Sequence, residues 1–284
     1  MKFDYNIAFS RNIGIISREE QEKIRKAKIG IAGVGAAGGG TLYTLVRMGF
    51  SRFHIADIDE YELVNFNRQI GARISSLGKK KTVAIEEFVR DINPDLEIRK
   101  FDGGINENTI DSFLEGLDVV VDGIDYFSFS SRILLYRRAR EQGVPVICSA
   151  PLGFTAAWLV FTPSSMSWDD YFAFDLAEDD VDRAILFLIG FIPHILPIHY
   201  VNLDDINFAE SKGPSIAPAV QVCSATNSTE VLKFILCRGK IYPAPYYQGF
   251  DTYMCKFIRG KLKNGNRSFF QRIKFRYVKR KLKS

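Results

Sequence analysis

A strand, a glycine turn and a helix follow one another without a break between residues 28 and 48, and this run limits the fold more than anything else in the chain. Lys28-Ile29-Gly30-Ile31-Ala32 has strand character, Gly33-Val34-Gly35-Ala36-Ala37-Gly38 follows at once, and Leu42, Leu45, Val46 and Met48 recur at helical spacing. G-x-G-x-x-G carries meaning only between a strand and a helix, which is where it stands here. Gly33 allows the tight turn, Gly35 lets a phosphate approach the backbone, and Gly38 lets the helix pack close to its strand. The helix start offers free N–H groups and the positive end of its dipole to an anion. A second strand, Phe53-His54-Ile55-Ala56, ends in Asp57-Ile58-Asp59. An acid about 20 residues past the glycines is where such a sheet holds a ribose hydroxyl. The run therefore specifies an α/β fold that binds a nucleotide.

Val64-Asn65-Phe66-Asn67-Arg68-Gln69 and Gly78-Lys79-Lys80-Lys81 come next and narrow the choice. A helix N-terminus largely satisfies a pyrophosphate, whereas a triphosphate calls for cations at its far end. The glycine motif alone would support an NAD-dependent dehydrogenase; Arg68 and Lys81 argue against it. The glycine turn, the Asp-x-Asp strand end, Asn-x-x-Arg-Gln and Gly-x-x-Lys, in this order and spacing, resemble the MoeB/ThiF/HesA family, relatives of ubiquitin-activating enzymes. One departure is Ala36, where that family usually has a further glycine.

The resemblance implies a Rossmann-like ATP-binding core, with a mostly parallel sheet continued by antiparallel strands and a crossover segment at about residues 163–215. It implies ATP and magnesium as cofactors. Gly33, Gly35 and Gly38 would shape the cradle, Asp57 hold the ribose, Asn65 position the phosphates, and Arg68 and Lys81 neutralise them. Leu117-Asp118-Val119-Val120-Val121-Asp122 reads as a buried strand ending at Gly123-Ile124-Asp125. The family places its magnesium-binding aspartate there, which assigns the metal to Asp125; Asp122 could equally cap local backbone. Phe9-Ser10-Arg11-Asn12 resembles a family segment whose arginine reaches the neighbouring subunit's phosphates, so Arg11 is the candidate third cation of a homodimer. The bland alternative is an exposed loop arginine.

At 284 residues, 46% hydrophobic and 25% charged, the chain suits one large α/β domain or one domain with an appendage. The division expected is an adenylation domain over residues 1–251 and a basic tail over 252–284. The start lacks the apolar core of a secretory signal. The run 184–198 is too short and too interrupted by prolines to span a bilayer, and reads as a buried helix with its exit turn. Cys148, Cys223, Cys237 and Cys255 form no C-x-x-C pair, so no zinc is expected, and a reducing cytoplasm is the default setting. None of the four lies in residues 163–215, where conjugating relatives often carry an acceptor cysteine; adenylation is therefore the step to defend, and thioester formation is in doubt. Cys148, after the strand Val144–Ile147, invites a nucleophile reading, but no histidine is near in sequence to activate it. His54, His194 and His199 each sit in apolar surroundings and read as structural.

The net charge of +5 hides an asymmetry. From Thr252 onward there are seven Lys, five Arg and no acid, which leaves 26 cations against 33 acids, or −7, in the rest. In the tail Phe269, Phe270, Ile273 and Tyr277 recur at helical spacing among the cations. Such a helix could fold back on the acidic body, which needs no partner, or meet an anionic membrane, an acidic protein or RNA.

The reaction expected is ATP-dependent adenylation of a carboxylate, above all the C-terminal glycine of a small ubiquitin-like or sulfur-carrier protein. The alternatives are a carboxylate on tRNA or a small molecule, or a non-catalytic nucleotide-binding subunit, against which the set Arg68, Lys81 and Asp125 argues.

Overall fold

A computed structural model describes residues 2–194, Tyr200 and residues 214–282. The parallel strands are β1 (Lys28–Ala32), β2 (Arg52–Ala56), β3 (Glu97–Phe101), β4 (Val119–Asp122) and β5 (Val146–Leu152), and β6 (Thr155–Phe161), β7 (Tyr246–Asp251) and β8 (Lys256–Lys261) continue the sheet antiparallel. The spatial order is β3-β2-β1-β4-β5-β6-β7-β8. The order therefore reverses between β1 and β4, and a doubly wound sheet opens a ligand crevice beyond the carboxyl ends of the strands at that point. Val119, Val120 and Val121 are buried on both faces, as a central parallel strand requires.

The helices in chain order are α1 (Tyr5–Ala8), α2 (Arg18–Lys26), α3 (Ala36–Arg47), α4 (Lys81–Arg90), α5 (Ile110–Leu114), α6 (Phe129–Glu141), α7 (Trp168–Phe172), α8 (Asp180–Phe191), α9 (Ala217–Leu236) and α10 (Phe269–Leu282). A capping box opens α2: the Ser17 Oγ accepts from the Glu20 amide at 3.1 Å and the Glu20 carboxylate accepts from the Ser17 amide at 2.8 Å. One apolar layer joins α3 and α4 to the sheet through Leu42, Leu45, Ile85 and Val89. The other packs Leu135, Tyr136, Phe172 and Phe187 under the opposite face.

The polar middle of α9 has a packing reason. α9 lies against α3, and an added Cβ at Gly40 would overlap the Ser224 hydroxyl. Asn227 donates to the Thr41 Oγ1 at 3.2 Å, and Ser224 and Ser228 return their hydroxyl protons to carbonyls one turn back. Small polar side chains thus satisfy themselves locally and let the two helices approach.

The residues after Asp251 do not all lie apart from the sheet: β8 pairs with β7 along its whole length. α10 then returns across α8. Its Gln271 donates to the Ile189 carbonyl at 2.7 Å, Lys274 donates to the Pro193 carbonyl, and Lys279 bridges Asp182 and Glu178 at 2.7 and 2.8 Å. Within the expected crossover segment, residues 195–199 and 201–213, His199 among them, lie outside the described residues. Among the described residues no helix is long and apolar enough to cross a membrane.

Candidate nucleotide site

The crevice is built by two turns that press on each other. Gly33 ends β1 at φ +86°, in the left-handed region that suits glycine, and an added Cβ there would overlap the Gly123 carbonyl beyond β4. The Gly33 amide donates to the Ala56 carbonyl and the Gly123 amide to the Ala32 carbonyl, both at 2.7 Å. An added Cβ at Gly38 would overlap the Gly33 carbonyl oxygen. Gly35 differs, because the nearest atom to a Cβ there is the Gln69 Oε1 at 3.5 Å, an ordinary contact. Among the described residues no neighbour excludes a side chain at Gly35. α3 begins at this point with no side-chain cap among the described residues, and its first-turn amides and dipole favour an anion.

Asp57, at the end of β2, faces the same turn. Its Oδ2 accepts from the Val34 amide at 2.8 Å and its Oδ1 from the Asp59 amide at 3.0 Å. Burial pushes its carboxyl up from the ordinary value, and the Lys81 charge opposes that. Lys81, the first residue of α4, is buried, and its Nζ is held 2.7 Å from the Asp59 Oδ2. The Asn65 Oδ1 accepts from the Glu62 amide at 3.0 Å, which fixes the turn. Its Nδ2 donors have no hydrogen-bond partner among the described residues.

Arg68 is half-buried, and its Nη1 donates to the Val64 carbonyl and the Asn67 Oδ1, both at 2.9 Å. Burial draws its guanidinium down from the ordinary value, and the Asp125 charge pulls it back, so the two groups share one electrostatic neighbourhood. Asp125 is exposed, with its Oδ2 accepting from the Phe127 amide at 3.1 Å. The structure thus gathers Gly33, Gly35, Gly38, Asp57, Asn65, Arg68, Lys81 and Asp125 around the carboxyl ends of β1, β2 and β4.

Arg11 is not among them. It is exposed on the turn Ser10–Asn12, and its neighbour Asn12 donates to the Met48 carbonyl at 3.0 Å, at the far end of α3 from the glycines. α3 has twelve residues, which at 1.5 Å each separate that anchor from the glycine turn by about 18 Å.

Asp122 does cap local backbone, accepting from the Ile124 amide at 3.0 Å. It also takes the Arg132 Nε at 2.8 Å and the Tyr136 hydroxyl at 3.0 Å, in a pair closed to solvent. Arg132 donates onward to the Ile124 and Tyr126 carbonyls, bracketing Asp125 on both sides. Nothing in the sequence of the basic helix α6 distinguishes Arg132 from its neighbours. Gln69 closes the Asn-x-x-Arg-Gln segment but carries no assignment from the sequence; its buried Oε1 has no partner among the described residues.

The Cys148 thiol donates to the Asp122 Oδ2 at 3.2 Å, and burial followed by the Asp122 charge pushes it well above its ordinary range. A thiol held protonated is a poor nucleophile. The His54 Nδ1 lies 2.7 Å from the Phe113 carbonyl and burial lowers its pKa, in keeping with a structural residue.

Fold and site together define an α/β protein with a doubly wound sheet, a glycine turn at its switch point and cations beside it. The chain belongs to the ThiF family, whose model matches residues 9–268. It is 31% identical over 142 residues to the tRNA threonylcarbamoyladenosine dehydratase of Bacillus subtilis, a match covering 50% of this chain and 55% of that protein. It is 28% identical over 147 residues to the sulfur carrier protein ThiS adenylyltransferase of the same species, covering 51% and 43%. The chain thus spans about half the length of the curated relatives it matches. A crystal structure of E. coli MccB with ATP shares the fold at a TM-score of 0.66 and 18% identity, covering 88% of this chain and 68% of that one.

Proposed function

We propose that this protein is an ATP-dependent adenylyltransferase that activates a carboxylate, in the first place the C-terminal carboxylate of a small ubiquitin-like or sulfur-carrier protein. The observation that carries the reading is the crevice at Gly35, where among the described residues an added Cβ would meet only the Gln69 side chain, in ordinary contact. No side chain among those residues caps the start of α3 there, and Arg68, Lys81 and Asp125 lie around the same crevice. These features fit ATP: amides and cations for phosphates, Asp57 for the ribose. They fit magnesium as well, which keeps most of its waters and needs only one or two carboxylates beside substrate phosphates. Among the described residues no three His, Cys, Asp or Glu converge on one point. When bound through Asp125, magnesium would supply positive charge to the triphosphate.

In the reaction a carboxylate oxygen forms a bond to the α-phosphorus while the bond to the bridging oxygen of pyrophosphate breaks. An anion attacks an anion, so orientation and positive charge supply most of the acceleration. Arg68 and Lys81 are suited to neutralise the phosphates and the Asn65 Nδ2 to donate to them. No general base is needed, because the attacking carboxylate is ionised at neutral pH. The cysteines need take no part in this step.

A second reading, activation on tRNA, is favoured by the named dehydratase relative and by the cationic residues beyond 251. One experiment addresses both: ATP–pyrophosphate exchange with the protein alone, with sulfur-carrier proteins and with tRNA. Exchange stimulated by a carrier supports the first reading, and ATP consumption stimulated only by tRNA supports the second. Calorimetry showing tight NAD binding and no ATP binding would overturn adenylation altogether.

A further inference from the structure

α10 begins at Phe269, immediately after the residues that the family shares, and it presents two unlike faces. The inner face is fully employed. Gln271 hydrogen-bonds to the Ile189 carbonyl and the Asn266 side chain, and Phe275 and Val278 pack on Ile185, Leu186 and Ile189. Lys279 closes the contact on Asp182 and Glu178. The outer face is surplus to this packing. Phe269 is 72% exposed, Phe270 74% and Ile273 48%. Phe269, Ile273, Arg276 and Arg280 follow one another at spacings of three and four, so they form one stripe, and Arg272 flanks it. Arg272, Arg276 and Arg280 are exposed, and the helix contains no acid.

We propose that the outer face of α10 is a docking surface for an anionic lipid bilayer. The inference is independent of the adenylation reading. Three large apolar side chains kept in water on one convex helix mark an interaction site. Phe269, Phe270 and Ile273 lie in the N-terminal half of the helix, and Arg272, Arg276 and Arg280 run beside and beyond them along its length. Helix binding at an interface uses such a combination: phenyl and alkyl groups enter the acyl boundary, and cations stay at the phosphates. Arginine stems can lie along the apolar surface while the guanidinium groups remain at headgroup level. A second copy of this helix would set like charges against each other. Nucleic acid would use the arginines and stack the rings, but would leave Ile273 without a role.

The test uses the full chain in vesicle flotation, with phosphatidylcholine vesicles and with vesicles containing one part phosphatidylglycerol to two of phosphatidylcholine. The protein should float with the anionic vesicles, remain behind with the neutral ones, and be released by raised salt. Two triple variants, Phe269→Ser/Phe270→Ser/Ile273→Ser and Arg272→Glu/Arg276→Glu/Arg280→Glu, should each lower the bound fraction about tenfold or more. Both alter exposed side chains and leave the Gln271, Lys274 and Lys279 contacts in place; thermal melts verify the fold. Absence of flotation at low salt, or flotation undiminished in both folded variants, would overturn the proposal. So would a mobility-shift assay in which tRNA binds through this face while anionic vesicles do not.

Discussion

At Gly38 an added methyl would press on the Gly33 carbonyl oxygen, whereas at Gly35 it would meet only the end of the Gln69 side chain at 3.5 Å. The two positions therefore separate folding from binding. Gly38→Ala should lose about 1–3 kcal/mol of stability, the usual range for forcing volume into a packed place. Gly35→Ala should unfold in urea close to wild type yet bind ATP about tenfold or more weakly, because its methyl occupies the space a phosphate would use. Urea titration and calorimetry on both variants check this; wild-type ATP affinity in Gly35→Ala would remove the cradle assignment. The glycines were legible because a strand and a helix bracket them in the sequence. What the spacing could not say is which glycine serves the chain and which a ligand, since both obey one pattern. Asn65 carries the same lesson: its residue type suggested phosphate contact, and its oxygen is in fact bound to the Glu62 amide, leaving only the donor end available.

Between elements, the ion pair of Asp122 on β4 and Arg132 on α6 holds the loop that carries Asp125. Removing one member of a closed pair leaves an uncompensated charge. Arg132→Met should accordingly cost about 3–5 kcal/mol, while Asp122→Asn/Arg132→Met together should cost less than the two single changes summed. A denaturant double-mutant cycle measures the coupling; strict additivity would mean the pair does not act as a unit. Such long-range partners lie ten residues apart on different elements, and nothing in local spacing announces them. Elements whose burial repeats locally were easier to read. α3 follows from apolar residues at helical spacing, and the strands β1, β2 and β4 from short apolar runs. β8 did not, because as an edge strand rich in Lys and Arg it lacks an apolar signature, and pairing with β7 alone defines it. The polar middle of α9 acquires a reason only once α3 is seen against it.

At the scale of the whole molecule, the acidic body and basic tail meet in a few places, Lys279 with Glu178 and Asp182 and Arg267 with Asp175. The larger question of assembly turns on Arg11. Its turn is tied to the C-terminal end of α3 by Asn12, about 18 Å along the helix from the glycines, and no hydrogen bond or ion pair joins Arg11 to the other site residues among those described. An arginine so placed is poorly positioned to serve its own crevice and free to serve a neighbour's. A homodimer with Arg11 acting in trans is the expected active form, each chain completing the other's site about a two-fold axis. If so, an inactive Arg11→Ala chain mixed with an inactive Asp125→Ala chain should regain activity. In a mixed dimer one site receives an intact arginine from one chain and an intact aspartate from the other, while the second site receives neither. Random exchange makes half the dimers mixed, each with one working site of two, so the recovered rate should be about a quarter of wild type. Sedimentation or light scattering establishes the dimer, and pyrophosphate exchange reads the recovery. A monomer at working concentration, or no recovery after verified subunit exchange, would confine Arg11 to the surface of its own chain.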